Sequence, residues 1–106
     1  RVFAFTTSKM GSVGALNGGN AYAYRSSKTA LNMAVNCFAL EHAAAGISCL
    51  LLHPGWVRTD MGGSDADIDV ATSVSGMRGV VDQAVPVRQQ EFNGNYFNYD
   101  GATLPW

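Results

Sequence analysis

The run "ISCLLLH", residues 47 to 53, constrains this chain more than any other stretch. Its apolarity is continuous rather than alternating. A strand with one face in water alternates, whereas a continuously apolar strand is covered on both faces, as in parallel sheets flanked by helices. Parallel neighbours need a crossover connection, usually a helix. Just upstream, from Ala21 to Ala45, neither Gly nor Pro occurs, and Ala, Leu, Met and Glu dominate. That predicts one long helix, and Gly46 suits a left-handed stop at its end. The helix is apolar on nearly all sides (Ala30, Leu31, Met33, Ala34, Val35, Cys37, Phe38, Leu40). Such a helix is covered on two sides, one by a sheet and the other by a second subunit.

The remaining elements follow from local signals. "RVFAF", 1 to 5, is β-rich and bounded by Thr6, Thr7 and Ser8, which predicts a short strand. Because it is apolar from Arg1 onward, it reads as a strand already under way, in a piece of something longer. The glycine-rich stretch 8 to 20 is a loop, and so is 54 to 67. Residues 68 to 84 carry Val70, Val74, Met77, Val80 and Val81 near a helical period. "NYFNYDG", 95 to 101, predicts a last short strand with Asp100-Gly101 as a turn. The order β-α-β-α-β is two successive βαβ units. The fold class expected is α/β, part of a Rossmann-type doubly wound parallel sheet, with residues 1 to 106 in a single domain.

Composition narrows the function classes. A formal net charge of -1, with no basic stripe, argues against nucleic acid or an anionic membrane surface as partner. No apolar run approaches the ~20 residues a spanning helix needs. Cys37 and Cys49 form no disulfide framework; two buried, reduced thiols are expected, as in a cytoplasmic protein. "DADID", 65 to 69, lacks the glycine and distal glutamate of a calcium loop and reads as an acidic run before a helix. No metal site is expected. His53, at a strand end, reads as structural or substrate-lining.

Open parallel sheets bind ligands beyond the carboxyl ends of their strands. Three segments leave that edge here, 6 to 20, 54 to 67 and the tail from Gly101, and the start of the long helix lies between the first two. Tyr24 and Lys28 are four apart and share a helical face. A tyrosine hydroxyl titrates near ~10, and a neighbouring ammonium favours its ionised form, so the pair can exchange a proton with an alcohol or carbonyl oxygen. Tyr22 has Ser26 at the same spacing and lacks that partner. Ser12, on the first loop, is positioned to donate to the same oxygen. Met10, Tyr22, Trp56 and Met61 are candidates for lining a substrate pocket, and the apolar rim of Trp56, Val57 and Met61 suits a hydrophobic ketone or aldehyde.

"TTSKMGS", then Tyr24-x-x-x-Lys28, then "HPGWVRTDM" resembles the second half of a short-chain dehydrogenase/reductase, and the likeness runs through essentially the whole chain. "NAYAYRSSKTALNMA" and "GISCLLLHPGWVRTDMGG" are similar to the C-factor-like and sniffer-like carbonyl reductases. The resemblance implies that Ser12 polarises a substrate carbonyl, that Tyr24 is general acid or base, and that Lys28 tunes Tyr24 and holds the nicotinamide ribose. It implies that Pro54, Gly55, Val57 and Thr59 hold the nicotinamide of NAD or NADP. It implies a small-molecule carbonyl or alcohol substrate, a mobile substrate loop over 60 to 68, and a homodimer or homotetramer through the helix 21 to 45. The family's cofactor-binding first half, with its Gly-x-x-x-Gly-x-Gly turn and Asn-Asn-Ala-Gly segment, is absent from these residues, so on their own they are expected to bind a dinucleotide poorly. Alternatives are a non-catalytic, partner-binding remnant of the same fold, or epimerase or dehydratase chemistry on the same Tyr/Lys pair.

Overall fold

The structure, a computed structural model, describes residues 1–84 and 89–106. The apolar run forms strand β2 (Ser48–His53), the centre of a three-stranded parallel sheet. Strand β1 (Val2–Thr6) lies on one side and β3 (Asn95–Asn98) on the other, with Leu50 opposite both Ala4 and Asn95. Side chains of a strand alternate between faces. Cys49 and Leu51 pack with Val35 and Ala39 of helix α1 (Tyr22–His42) and with Tyr96. Leu50 and Leu52 pack on the opposite face with Val80 and Ala84 of helix α2 (Val70–Ala84) and with Phe97. A helix on each face explains the continuous apolarity: β2 is buried at every position from Ser48 to Leu52. Each fully buried leucine contributes roughly 1.5–3 kcal/mol.

The long helix is shorter as an α-helix than 21 to 45. It stops at His42, tightens into a 3-10 turn over Ala43–Ala45, and ends at Gly46 with φ 71°. Its sheet-facing row is Asn32, Val35 and Ala39. Met33, Cys37 and Leu40 point the other way and are exposed. This corrects the expectation of two buried thiols: Cys49 is buried, but Cys37 sits two residues from Val35, on the opposite side of the helix.

A short helix α3 (Gln89–Phe92), unforeseen from the sequence, precedes β3. The last strand ends at Asn98 rather than 101. There the chain turns through Gly101, and Thr103 bridges back antiparallel to Phe97. The tail thus folds onto the sheet, and the Trp106 ring centroid lies 5.7 Å from that of Tyr96. β1 pairs with β2 alone among the described residues, and its Phe3 is exposed. No helix of the described residues is long and apolar enough to cross a membrane.

Candidate active site

The first loop is anchored before it bends. Thr7 extends the ladder past β1, its N–H donating to Leu52 O at 2.8 Å, and its hydroxyl donates to Asn32 Oδ1 of α1 at 2.6 Å. Ser8 then caps a 3-10 turn over Lys9–Gly11, its Oγ accepting from Met10 N at 3.2 Å. The buried Tyr96 hydroxyl donates to the Ser8 carbonyl; desolvation pushes that phenol up to about 12, so it stays a donor. A Cβ on Gly11 would stand 2.8 Å from carbon atoms of Lys28. Only glycine lets the loop lie this close to the helix turn that carries Lys28.

The start of α1 is set by Arg25. Its guanidinium donates to Asn20 O and to Asn20 Oδ1, both at 3.0 Å, tying the loop's end to the helix. Ala21, between them, takes a left-handed backbone (φ 50°) that turns the chain into the helix. Tyr24 stands on this first turn of α1, with the Lys28 ammonium 5.7 Å from its ring centroid.

The second loop is stapled rather than loose. Pro54 O accepts from Ser73 Oγ of α2 at 2.6 Å. Gly55 has φ 86°, and a Cβ there would lie 2.7 Å from Ile68 Cδ1 and 2.9 Å from the Tyr99 ring. Val57 bridges Ile68 through the peptide groups of Trp56 and Arg58, which leaves its own N–H out of that bridge. Trp56 Nε1 donates to Gly62 O at 2.8 Å, and Thr59 Oγ1 accepts from Gly62 N at 3.1 Å. Asp69, ending the acidic run, caps α2 by accepting from Thr72 N at 2.7 Å; hydrogen bonding from the Thr72 side chain, and then from its backbone N–H, holds the carboxyl below the usual range.

Between the loops, at the carboxyl edge of the sheet, lies a cleft of about 900 Å³. Of the residues singled out from sequence, Tyr24, Met10, Pro54, Gly55, Trp56, Val57, Thr59 and Met61 line it. Lys28 stands behind the Tyr24 ring. Two others lie elsewhere. Ser12 is 2% exposed; its Oγ donates to Pro105 O at 2.5 Å and accepts from Ala15 N at 3.0 Å, so it ties the first loop to the tail. The 3-10 turn is the reason: it carries the chain around before Ser12 is reached. Tyr22 is exposed and borders a separate hollow of about 550 Å³.

Two cleft residues carry more chemistry than the sequence reading gave them: Ser8, which it did not single out, and His53, which it read as structural or substrate-lining. The signal for Ser8 was position, two residues past the end of β1. His53 is the last residue of β2, and its Nδ1 is buried without a hydrogen-bond partner. Burial first, and the Lys9 charge second, lower its pKa to about 4, so the ring is neutral near pH 7. No cluster of three or more metal-ligating side chains occurs among the described residues.

Comparison with known proteins agrees with this geometry. The family profile described as short chain dehydrogenase matches residues 4–69. C-signal of Myxococcus xanthus is 48% identical over 106 residues, all of this chain and 61% of that protein. A 1-hydroxy-2-glutathionyl-2-methyl-3-butene dehydrogenase of Rhodococcus sp. is 36% identical over 94% of this chain and 44% of its own length. Among solved structures, the carbonyl reductase Sniffer of D. melanogaster matches with TM-score 0.89 and 40% identity, over 99% of this chain and 41% of that one. An NADPH-bound carbonyl reductase from chicken fatty liver matches with TM-score 0.84 and 36% identity, over 99% and 42%. The chain therefore spans about two fifths to three fifths of the proteins it matches.

Proposed function

We propose, on the premise that this chain belongs to the short chain dehydrogenase family, that it carries the proton-transfer half of an NAD(P)-dependent oxidoreductase interconverting a carbonyl and an alcohol. The observation that carries this reading is the presence of Tyr24, backed by Lys28, and Ser8 in one cleft at the carboxyl edge of a parallel sheet.

The cleft suits a nicotinamide on its second-loop wall. Pro54 and Gly55 offer a flat backbone surface, and Val57 keeps an N–H outside the bridge to Ile68 for a carboxamide oxygen. Thr59, already accepting from Gly62 N, braces this wall. When bound, the reduced cofactor supplies a hydride to the carbonyl carbon. Tyr24 gives its hydroxyl proton to the carbonyl oxygen as that carbon is reduced, and takes it back in the oxidative direction. The Lys28 ammonium stabilises the phenolate left behind. Ser8, whose Oγ already accepts from Met10 N, has its hydroxyl hydrogen left to donate to the same oxygen. Ser8 thus takes the role the sequence had assigned to Ser12. Met10, Trp56 and Met61 supply the apolar wall for a hydrophobic ketone or aldehyde.

The dinucleotide's phosphates and adenosine belong to a glycine-rich βαβ half outside these residues; the second edge of β1, which no strand of the described residues pairs, supports that placement. The exposed apolar face of α1, with Met33 and Leu40, supports self-association through this helix. The free thiols support a reducing, cytoplasmic setting. The test is NAD(P)H consumption by the full-length protein on a panel of ketones and aldehydes. Tyr24→Phe is expected to lower kcat at least ~100-fold, the scale of a general acid. Full turnover by that variant would refute the assignment.

A further inference from the structure

The two nitrogens of His53 face different surroundings. Nδ1 is buried and without a partner. Nε2 makes no hydrogen bond among the described residues either, but it is not buried, and the ring lines the cleft, which gives this nitrogen its access to a ligand. A neutral imidazole carries one proton, and the two tautomers are not equivalent here. On Nδ1 the proton would be a buried donor with no acceptor; on Nε2 it can reach an acceptor in the cleft. The proton therefore belongs on Nε2. His53 ends the central strand, where its backbone is held by pairing to Asn98 on β3, so the donor is aimed by the sheet rather than by a loop.

We infer that His53 presents a fixed, neutral Nε2–H donor that recognises a carbonyl-type oxygen of the ligand, distinct from the oxygen served by Tyr24 and Ser8. The inference rests on the cofactor and carbonyl reading above. That oxygen belongs either to the nicotinamide carboxamide or to a second polar group on the substrate, and the two sources separate experimentally. A single neutral donor prefers an uncharged oxygen and adds no charge to the cleft, which suits an otherwise apolar wall.

The test uses the full-length protein labelled with nitrogen-15 in histidine. At pH 7, the His53 ring is expected to be neutral with its proton on Nε2. Titration with NADP+ alone (or NAD+, if only that binds), and then with 1-phenyl-1,2-propanedione, whose second carbonyl is free for His53, on the saturated complex, identifies the source: the Nε2–H signal moves in whichever arm supplies the oxygen. In parallel, His53→Leu is expected to weaken binding of that ligand by about tenfold, the effect of losing one ~1.4 kcal/mol interaction. His53→Gln, which keeps an N–H donor, is expected to restore most of it. A proton found on Nδ1 would overturn the inference. So would an Nε2–H signal unmoved in both arms by an enzyme that binds NADP+ or NAD+ and turns over in a Tyr24-dependent way. Failure of the wild-type protein to bind either NADP+ or NAD+ would overturn the cofactor reading and this inference with it.

Discussion

Replacing Ser8 and Ser12 by alanine, one at a time, separates chemistry from construction in the first loop. Both are buried serines on the same segment, but their hydroxyls face different tasks. Ser8 Oγ accepts from Met10 N and keeps its hydrogen for the cleft. A preorganised donor to a developing oxyanion is worth about 2.7–4 kcal/mol, or ~10²–10³ in kcat. Ser8→Ala also removes the cap of the short 3-10 turn, a loss of about 1 kcal/mol in stability. Ser12→Ala removes one donor to Pro105 O and one acceptor for Ala15 N. Leaving a buried group unpaired costs about 1–3 kcal/mol. Pro105 is exposed and Ala15 half-buried, so water re-pairs both and the loss falls near the low end, about 1–2 kcal/mol. The assays are steady-state NAD(P)H consumption and urea unfolding of the full-length protein. Ser8→Ala is expected to lose ~10²–10³ in kcat with modest destabilisation; Ser12→Ala is expected to lose stability and keep kcat within a few-fold. A Ser12→Ala enzyme that is ~100-fold slower yet unfolds at the wild-type midpoint, beside an active Ser8→Ala enzyme, would refute this division of roles.

Two further outcomes follow from the packing and from His53. Leu51→Ala, at a fully buried site packed among Val35, Ala39 and Tyr96, is expected to destabilise by about 2–5 kcal/mol in denaturant titration. His53, with its folded pKa lowered from 6.5 to about 4, resists protonation that the unfolded chain accepts. Its contribution to stability is therefore complete above about pH 6.5 and is lost as the pH falls towards about 4. A pH series of unfolding midpoints on wild type and His53→Gln is expected to show a shallower acid loss in the variant, since glutamine takes up no proton in either the folded or the unfolded chain.

The shape of the cleft depends on residues remote from it in sequence. Tyr96, on the third strand, holds the Ser8 carbonyl, and Asn32, on α1, holds the Thr7 hydroxyl. Ser73, on α2, holds Pro54. Strand β3 and helices α1 and α2 therefore each contribute hydrogen bonding that positions a loop lining the site. These supports are side-chain to backbone bonds across 19 to 88 residues of sequence, apart from the Thr7–Asn32 pair, and no local pattern announces them.

The element types and order were legible because they rest on local periodicity. A continuously apolar strand after a Gly-free and Pro-free helix can be satisfied only by a sheet covered on both faces, and β2 has α1 and α2 on its two sides. Tyr24 and Lys28 were legible for the same reason: a spacing of four on one helix is a local distance. Ser12 against Ser8 was not, because both are serines on a glycine-containing loop, and only the 3-10 turn over Lys9–Gly11 decides which hydroxyl stays on the cleft side. The split between buried Cys49 and exposed Cys37 was set by which side of α1 meets the sheet, information a helix apolar all round does not carry. His53 needed the structure most of all. A histidine at a strand end has two nitrogens, and only the folded surroundings, dry at Nδ1 and open at Nε2, decide where its proton resides.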